Sequence, residues 1–153
     1  MEIEKIIEDL NKRAVSAGMN PDDVTGAELT ESEKTFLRNY EPGKALIIYG
    51  SLASGQPNHS VVEHIRGKWK TGIVRGKLEK KGWGADLGYY AFRPAATGNQ
   101  EEIPAVVLFS DELVANWQML DEFEGAGYRR ILAKYELEDG QAGVGYIYAT
   151  SED

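Results

Sequence analysis

Apolar residues recur at Ile3, Ile6, Ile7, Leu10, Ala14 and Ala17, three to four positions apart, and Gly18 follows. That period predicts an amphipathic helix with a stop at its end. Asn20, Pro21 and Gly26 then punctuate a loop. Thr30-Glu31-Ser32-Glu33 has the form of a capping box. It opens a second, shorter helix whose buried face is expected at Phe36, Leu37 and Tyr40, with Pro42-Gly43 as its end.

Past Gly43 the pattern changes. Ala45-Leu46-Ile47-Ile48-Tyr49 is a continuous apolar run of strand length, as a strand covered on both faces requires. It ends abruptly at Gly50-Ser51-Leu52-Ala53-Ser54-Gly55. Asn58 or Ser60 offers a cap for a short helix through Val61, Val62 and Ile65. Further strands are predicted from Trp69 to Leu78, punctuated by Gly72 and Gly76, from Tyr89 to Phe92, and from Ile103 to Phe109. Ser110-Asp111 then caps a helix expected to turn Leu113, Val114, Trp117 and Leu120 inward and to stop near Gly125. Tyr128 to Leu137 and Val144 to Ala149 are the last strands, with a turn at Asp139-Gly140 between them. There is no internal repeat and no low-complexity tract. The expected fold class is α+β: a helical extension over residues 1–43, then a domain over residues 44–153. That domain is a small mixed β-barrel of about six strands with flanking helices, because Gly-punctuated, bent strands favour closure.

Composition narrows the function. The 153 residues carry a net charge of −8, and 42% are apolar. A chain of that size can bury a sizeable core. The negative sign argues against nucleic acid and against an anionic membrane surface as partners. Residues 1–43 hold 10 acidic and 5 basic residues, so the leading segment is the more acidic part. With no cysteine, thiol catalysis, disulfides and thiolate metal sites are excluded. No apolar run has the length of a membrane span, and no basic, then apolar, leader is visible, so the expected location is the cytoplasm.

Several familiar chemistries fit poorly. His59 and His64 are the only histidines and sit in no metal-ligand pattern, so no metal is expected. Ser51 and Ser54 lie near His59, but no Gly-x-Ser-x-Gly occurs. Gly82-Trp83-Gly84-Ala85-Asp86-Leu87-Gly88 has the wrong spacing for a dinucleotide fingerprint and no lysine for a phosphate loop.

Two segments invite chemistry. At Tyr49-Gly50-Ser51-Leu52 a buried strand leaves the core; Gly50 admits a close approach, and successive N–H groups there can cradle an anion. An ordinary strand-to-loop turn would look the same. The second segment is Leu120-Asp121-Glu122-Phe123-Glu124-Gly125. At about 100° per residue, Glu124 shares the helix stripe of Leu113, Trp117 and Leu120, whereas Glu122 points away and Asp121 lies at the edge. An inward carboxylate is pushed toward neutrality by burial, as a general acid/base requires. If the helix ends at Phe123, Glu124 is instead solvated.

The run Ile47-Ile48-Tyr49-Gly50-Ser51-Leu52, followed by Gly55-Gln56-Pro57-Asn58-His59, resembles the opening of gamma-glutamylcyclotransferase-like proteins. The nearest subgroup is the gamma-glutamylamine cyclotransferases and their plant and bacterial relatives. Leu120 to Gly125, then Tyr128 and Arg130, matches their second signature, and Gly145-Tyr146-Ile147-Tyr148 resembles their last strand. The resemblance covers about residues 44 to 150. It implies a cofactor-free reaction in which the α-amine of a γ-glutamyl group attacks its own γ-carbonyl, giving 5-oxoproline and releasing an amine. It implies Glu124 as the proton-transferring residue and Tyr49, Gly50, Ser51 and Leu52 as the substrate-binding loop. Tyr128 fits either a pocket hydroxyl or a core tyrosine, and Arg130 a surface or structural ion pair.

Ser51 stands where the subgroup often has threonine, which keeps the hydroxyl. Ala53-Ser54 replaces a more basic pair, which weakens any preference for acidic substrates. The expected partner is thus a small γ-glutamyl compound, with self-association left open. A non-catalytic binding or interaction module, or another acyl or amide chemistry on the same scaffold, is the competing reading. Trp83, Tyr89, Tyr90 and the first 43 residues are the candidates for shaping the pocket rim.

Overall fold

The computed structural model describes residues 2–17, 29–49, 65–79, 91–93, 101–124 and 128–150. Some side chains at element ends, those of Glu124 and Tyr128 among them, are outside that description. The elements are α1 (Glu2–Ala17), α2 (Glu31–Tyr40), a 3-10 turn (Pro42–Lys44), β1 (Ala45–Ile48), β2 (Lys68–Glu79), β3 (Ala91–Arg93), β4 (Glu101–Phe109), α3 (Leu113–Glu124), β5 (Tyr128–Leu137) and β6 (Ala142–Thr150).

The strands close on themselves. β1 pairs antiparallel with β4, β4 with β2, β2 with β5 and β5 with β6; a parallel pairing of β6 with β1 completes the ring. The six expected strands are present, but five form the barrel. β3, three residues long among those described, stands apart from the ring. It ties the end of β2 (Leu78↔Phe92) to the end of β6 (Phe92↔Ala149). The short helix expected through Val61 and Val62 lies outside the described residues; Ile65, at its predicted end, is buried.

Strand alternation sorts the apolar residues into two cores. Ala45, Ile47, Val74, Ile103, Val107, Ile131, Ala133, Ile147 and Ala149 fill the barrel. Leu46, Ile48, Leu108, Leu132, Val144, Tyr146 and Tyr148 face outward and meet Leu10, Phe36, Leu113, Trp117 and Leu120 from the helices. This explains the unbroken apolar run of β1: all four residues are buried, two on each face. Leu46, Ile47 and Ile48 each contribute about 1.5–3 kcal/mol by leaving water. Two glycines permit the close strand contacts. A Cβ at Gly72 would strike the main-chain oxygen of Glu136, and one at Gly145 would lie 2.8 Å from the oxygen of Ala45, where β6 meets β1.

The leading helices are built into the outer core. Leu10 and Ala14 are fully buried, with Ile7 beside them. Asn11 acts as a strand neighbour: its Nδ2 donates to the oxygen of Leu132, and the N–H of Leu132 donates to its Oδ1, both at 2.9 Å. β5 pairs with β2 only through Tyr135, Glu136 and Leu137, and Asn11 serves the same edge of β5 farther upstream. The capping box forms as expected, and Glu33 also takes a two-point contact from Arg13 at 2.8 and 2.9 Å. The Arg13 guanidinium holds the buried Glu33 carboxyl below its usual range, against the opposing effect of burial.

Two expected core positions are corrected. Phe36 is buried, but Tyr40 is exposed, its ring resting on Phe36 at 5.1 Å. On α3, Leu113, Trp117 and Leu120 are buried, whereas Val114 is 63% exposed. One residue on from Leu113, it is turned about 100° off the stripe.

Candidate active site

The strand register brings Tyr49 and the start of β5 to one end of the barrel. β1 and β6 run parallel, with Leu46 level with Tyr146 and Ile47 with Ile147. Tyr49 therefore leaves the barrel beside the end of β6. β5 begins at that same end, since Tyr128 pairs with Thr150. α3 runs to Glu124, so the helix does not stop at Phe123. Three residues separate Glu124 from Tyr128, a reach of at most about 14 Å over the four steps between their Cα atoms. Position 124 also continues the stripe of Leu113, Trp117 and Leu120. The last described residue of the first segment and the end of the second thus share one rim, with β3 beside them.

Tyr49 links three strands there. Its hydroxyl donates to the oxygen of Tyr148 and accepts from the N–H of Phe92, each at 2.6 Å. Its ring packs 6.1 Å from that of Phe92. These bonds seat the residue from which Gly50 departs. Gly50, Ser51 and Leu52 lie outside the described residues, as do His59, His64, Trp83, Tyr89 and Tyr90.

A second set of contacts holds the end of α3. The Asp121 carboxylate accepts from Arg130 Nε at 2.9 Å and Nη2 at 3.1 Å, and from the Tyr148 hydroxyl at 2.6 Å. Arg130 is 4% exposed. Its guanidinium lies 4.5 Å from the centre of the Trp117 ring and 4.7 Å from that of Tyr146. Those two rings meet edge-on, and Trp117 Nε1 donates to the oxygen of Gly43 at 3.1 Å. Arg130 is therefore a structural ion pair, not a surface one. The sequence placed Asp121 at the helix edge and treated Tyr148 only as part of a strand, so their meeting went unread. The available signal was the acid one turn before Glu124 and the arginine two residues after Tyr128. Among the described residues, no three acidic or histidine side chains gather as a metal site, and no helix is long and apolar enough to cross a membrane.

Residues 46–153 match the family described as gamma-glutamyl cyclotransferase, AIG2-like. The chain belongs to that family. The family resemblance carried by Tyr49 to Leu52 and Leu120 to Gly125 is thereby borne out. The solved structures similar to this cyclotransferase-family chain include an AIG2-like protein from Mus musculus, 24% identical with a TM-score of 0.53, the match covering 71% of this chain and 77% of that one. YkqA from Bacillus subtilis is 21% identical with the same TM-score, over 71% of this chain but 36% of its own. A protein from Arabidopsis thaliana is 20% identical, with a TM-score of 0.51 over 71% and 68% of the two chains. At these identities the likeness shows the shared fold. None of the curated proteins matches the chain.

Proposed function

We propose that this protein cyclises a γ-glutamyl compound, a γ-glutamyl amine or γ-glutamyl amino acid, to 5-oxoproline and releases the amine. The observation that supports the reading is that Tyr49, at the exit of β1, and the last turns of α3 lie at one end of the barrel, joined through Tyr148. Membership of the cyclotransferase family supports it.

The reaction needs little beyond folding of the substrate and transfer of a proton. Attack within one molecule has a high effective molarity once the glutamyl chain is held curled. The α-amine, with a pKa of about 8, is mostly protonated at neutral pH. Glu124 as carboxylate removes that proton; the amine nitrogen then bonds to the γ-carbon, and the γ-C–N bond breaks. The departing nitrogen takes that proton from Glu124 as it leaves; Glu124 then carries the attacking nitrogen's second proton to the released amine, which departs as ammonium, and the carboxylate returns to its starting state. Backbone N–H groups of Gly50, Ser51 and Leu52 hold the α-carboxylate or the developing oxyanion. Tyr128 lines the pocket, residues 1–43 form a helical extension to the catalytic domain, and the chain works in the cytoplasm.

The test is 5-oxoproline release from a panel of γ-glutamyl amines, γ-glutamyl dipeptides and glutathione. Turnover of at least one member is expected. Silence across the panel would favour a binding module or another amide chemistry.

A further inference from the structure

Asp121 and Arg130 are nine residues apart, and the segment between them holds both Glu124 and Tyr128. We propose that their ion pair is a clamp: Asp121 and Arg130 are positioning residues that fix the end of α3 against the start of β5, and so set the proton-transferring carboxylate against the substrate. This rests on the cyclisation reading above.

The contacts suit a clamp better than a store of stability. Burying the Arg130 guanidinium against a half-buried Asp121 costs hydration that their attraction has to offset, so such a pair often adds little net stability. What it supplies is direction. The fork of Arg130 meets both oxygens of Asp121, so the angle between helix and strand is set as well as their distance. The Trp117 and Tyr146 rings hold the guanidinium plane, and the Tyr148 hydroxyl fixes the carboxylate from β6. Asp121 lies one turn before Glu124 on the same helix, and Arg130 lies two residues after Tyr128 on the same strand. A lysine in place of Arg130 keeps the charge and loses the fork.

The experiment compares Arg130→Lys, Asp121→Asn and the unaltered protein for kcat and KM on the panel compound that turns over best. Hydrogen exchange is followed in parallel. In both variants kcat is expected to fall about 10- to 100-fold, the scale of a misplacement near 1 Å, with KM little changed. Amide exchange over residues 122–129 is expected to quicken while that of β4 and β6 holds. If Arg130→Lys does not fold, Tyr148→Phe serves: it deletes one contact to Asp121, keeps the ion pair, and is expected to lower kcat by a smaller factor. An unchanged kcat in folded variants, whether or not exchange quickens, overturns the clamp alone. No turnover by the unaltered protein overturns the cyclisation reading, and the clamp with it.

Discussion

The hydroxyl of Tyr49 donates to the main-chain oxygen of Tyr148 at 2.6 Å. Through its own hydroxyl, Tyr148 reaches Asp121 on α3 at 2.6 Å. One residue of the last strand thus joins the exit of β1 to the last turns of the helix that ends at Glu124. The two signatures lie about 70 positions apart in the chain, and Tyr148 touches a member of each.

Tyr49→Phe is expected to destabilise the protein by about 2–3 kcal/mol. It removes the partner of the Tyr148 oxygen and of the Phe92 N–H, and an unmet buried polar group costs about 1–3 kcal/mol. Urea denaturation should show a lower midpoint with an unchanged slope. A midpoint equal to that of the unaltered protein would mean that water replaces the hydroxyl there.

Asn11→Ala tests how the leading helix is joined to the barrel. The Leu132 N–H and oxygen would lose their partner on the edge of β5, with an expected loss of about 1–3 kcal/mol. Exchange of the Leu132 amide should quicken more than that of its neighbours in β5. Unaltered protection at Leu132 would show that the amide contact is not what seals this edge.

The Arg13–Glu33 contact should make stability depend on pH in one direction. The folded-state pKa of Glu33 is lowered, chiefly by hydrogen bonding from Arg13. Its contribution is therefore complete above the unfolded value of about 4.3 and is lost as pH falls through the lowered folded value. Near neutrality Glu33→Gln is expected to be about 1–2 kcal/mol less stable than the unaltered protein. That gap should narrow as pH falls below about 4. Thermal melts of both proteins across pH would show it; a gap constant with pH would contradict the assignment.

Much of this fold was legible because period and burial agree. The helical spacing of Leu10 and Ala14, the capping box at Thr30 and the two-sided burial of Ala45 to Ile48 each follow from local pattern. The misses arose where tertiary geometry overrides it. Nothing local says that β3 would lie outside the ring, because its place depends on the β2 and β6 residues it pairs with. Val114 is apolar and next to the stripe, yet α3 presents a narrower face than its composition suggests. Asn11 and Glu33 are of types that usually stand on the surface, and Arg130 fits a surface or a structural ion pair alike; their burial or pairing depends on partners 121, 20 and 9 positions away. At the candidate site, phase alone placed position 124 on the inner stripe. That the last turns of α3 lie at the end of the barrel where Tyr49 stands required the strand register and the Tyr148 contacts.

The central claim is that Glu124 moves the proton in a cyclisation. Glu124→Gln keeps the shape of the side chain and removes the base. 5-Oxoproline release by this variant, measured beside the unaltered protein on the same γ-glutamyl compound, tests the claim most directly. With thermal unfolding unchanged, the rate is expected to fall by about 10²- to 10⁴-fold. Full activity in Glu124→Gln would contradict it.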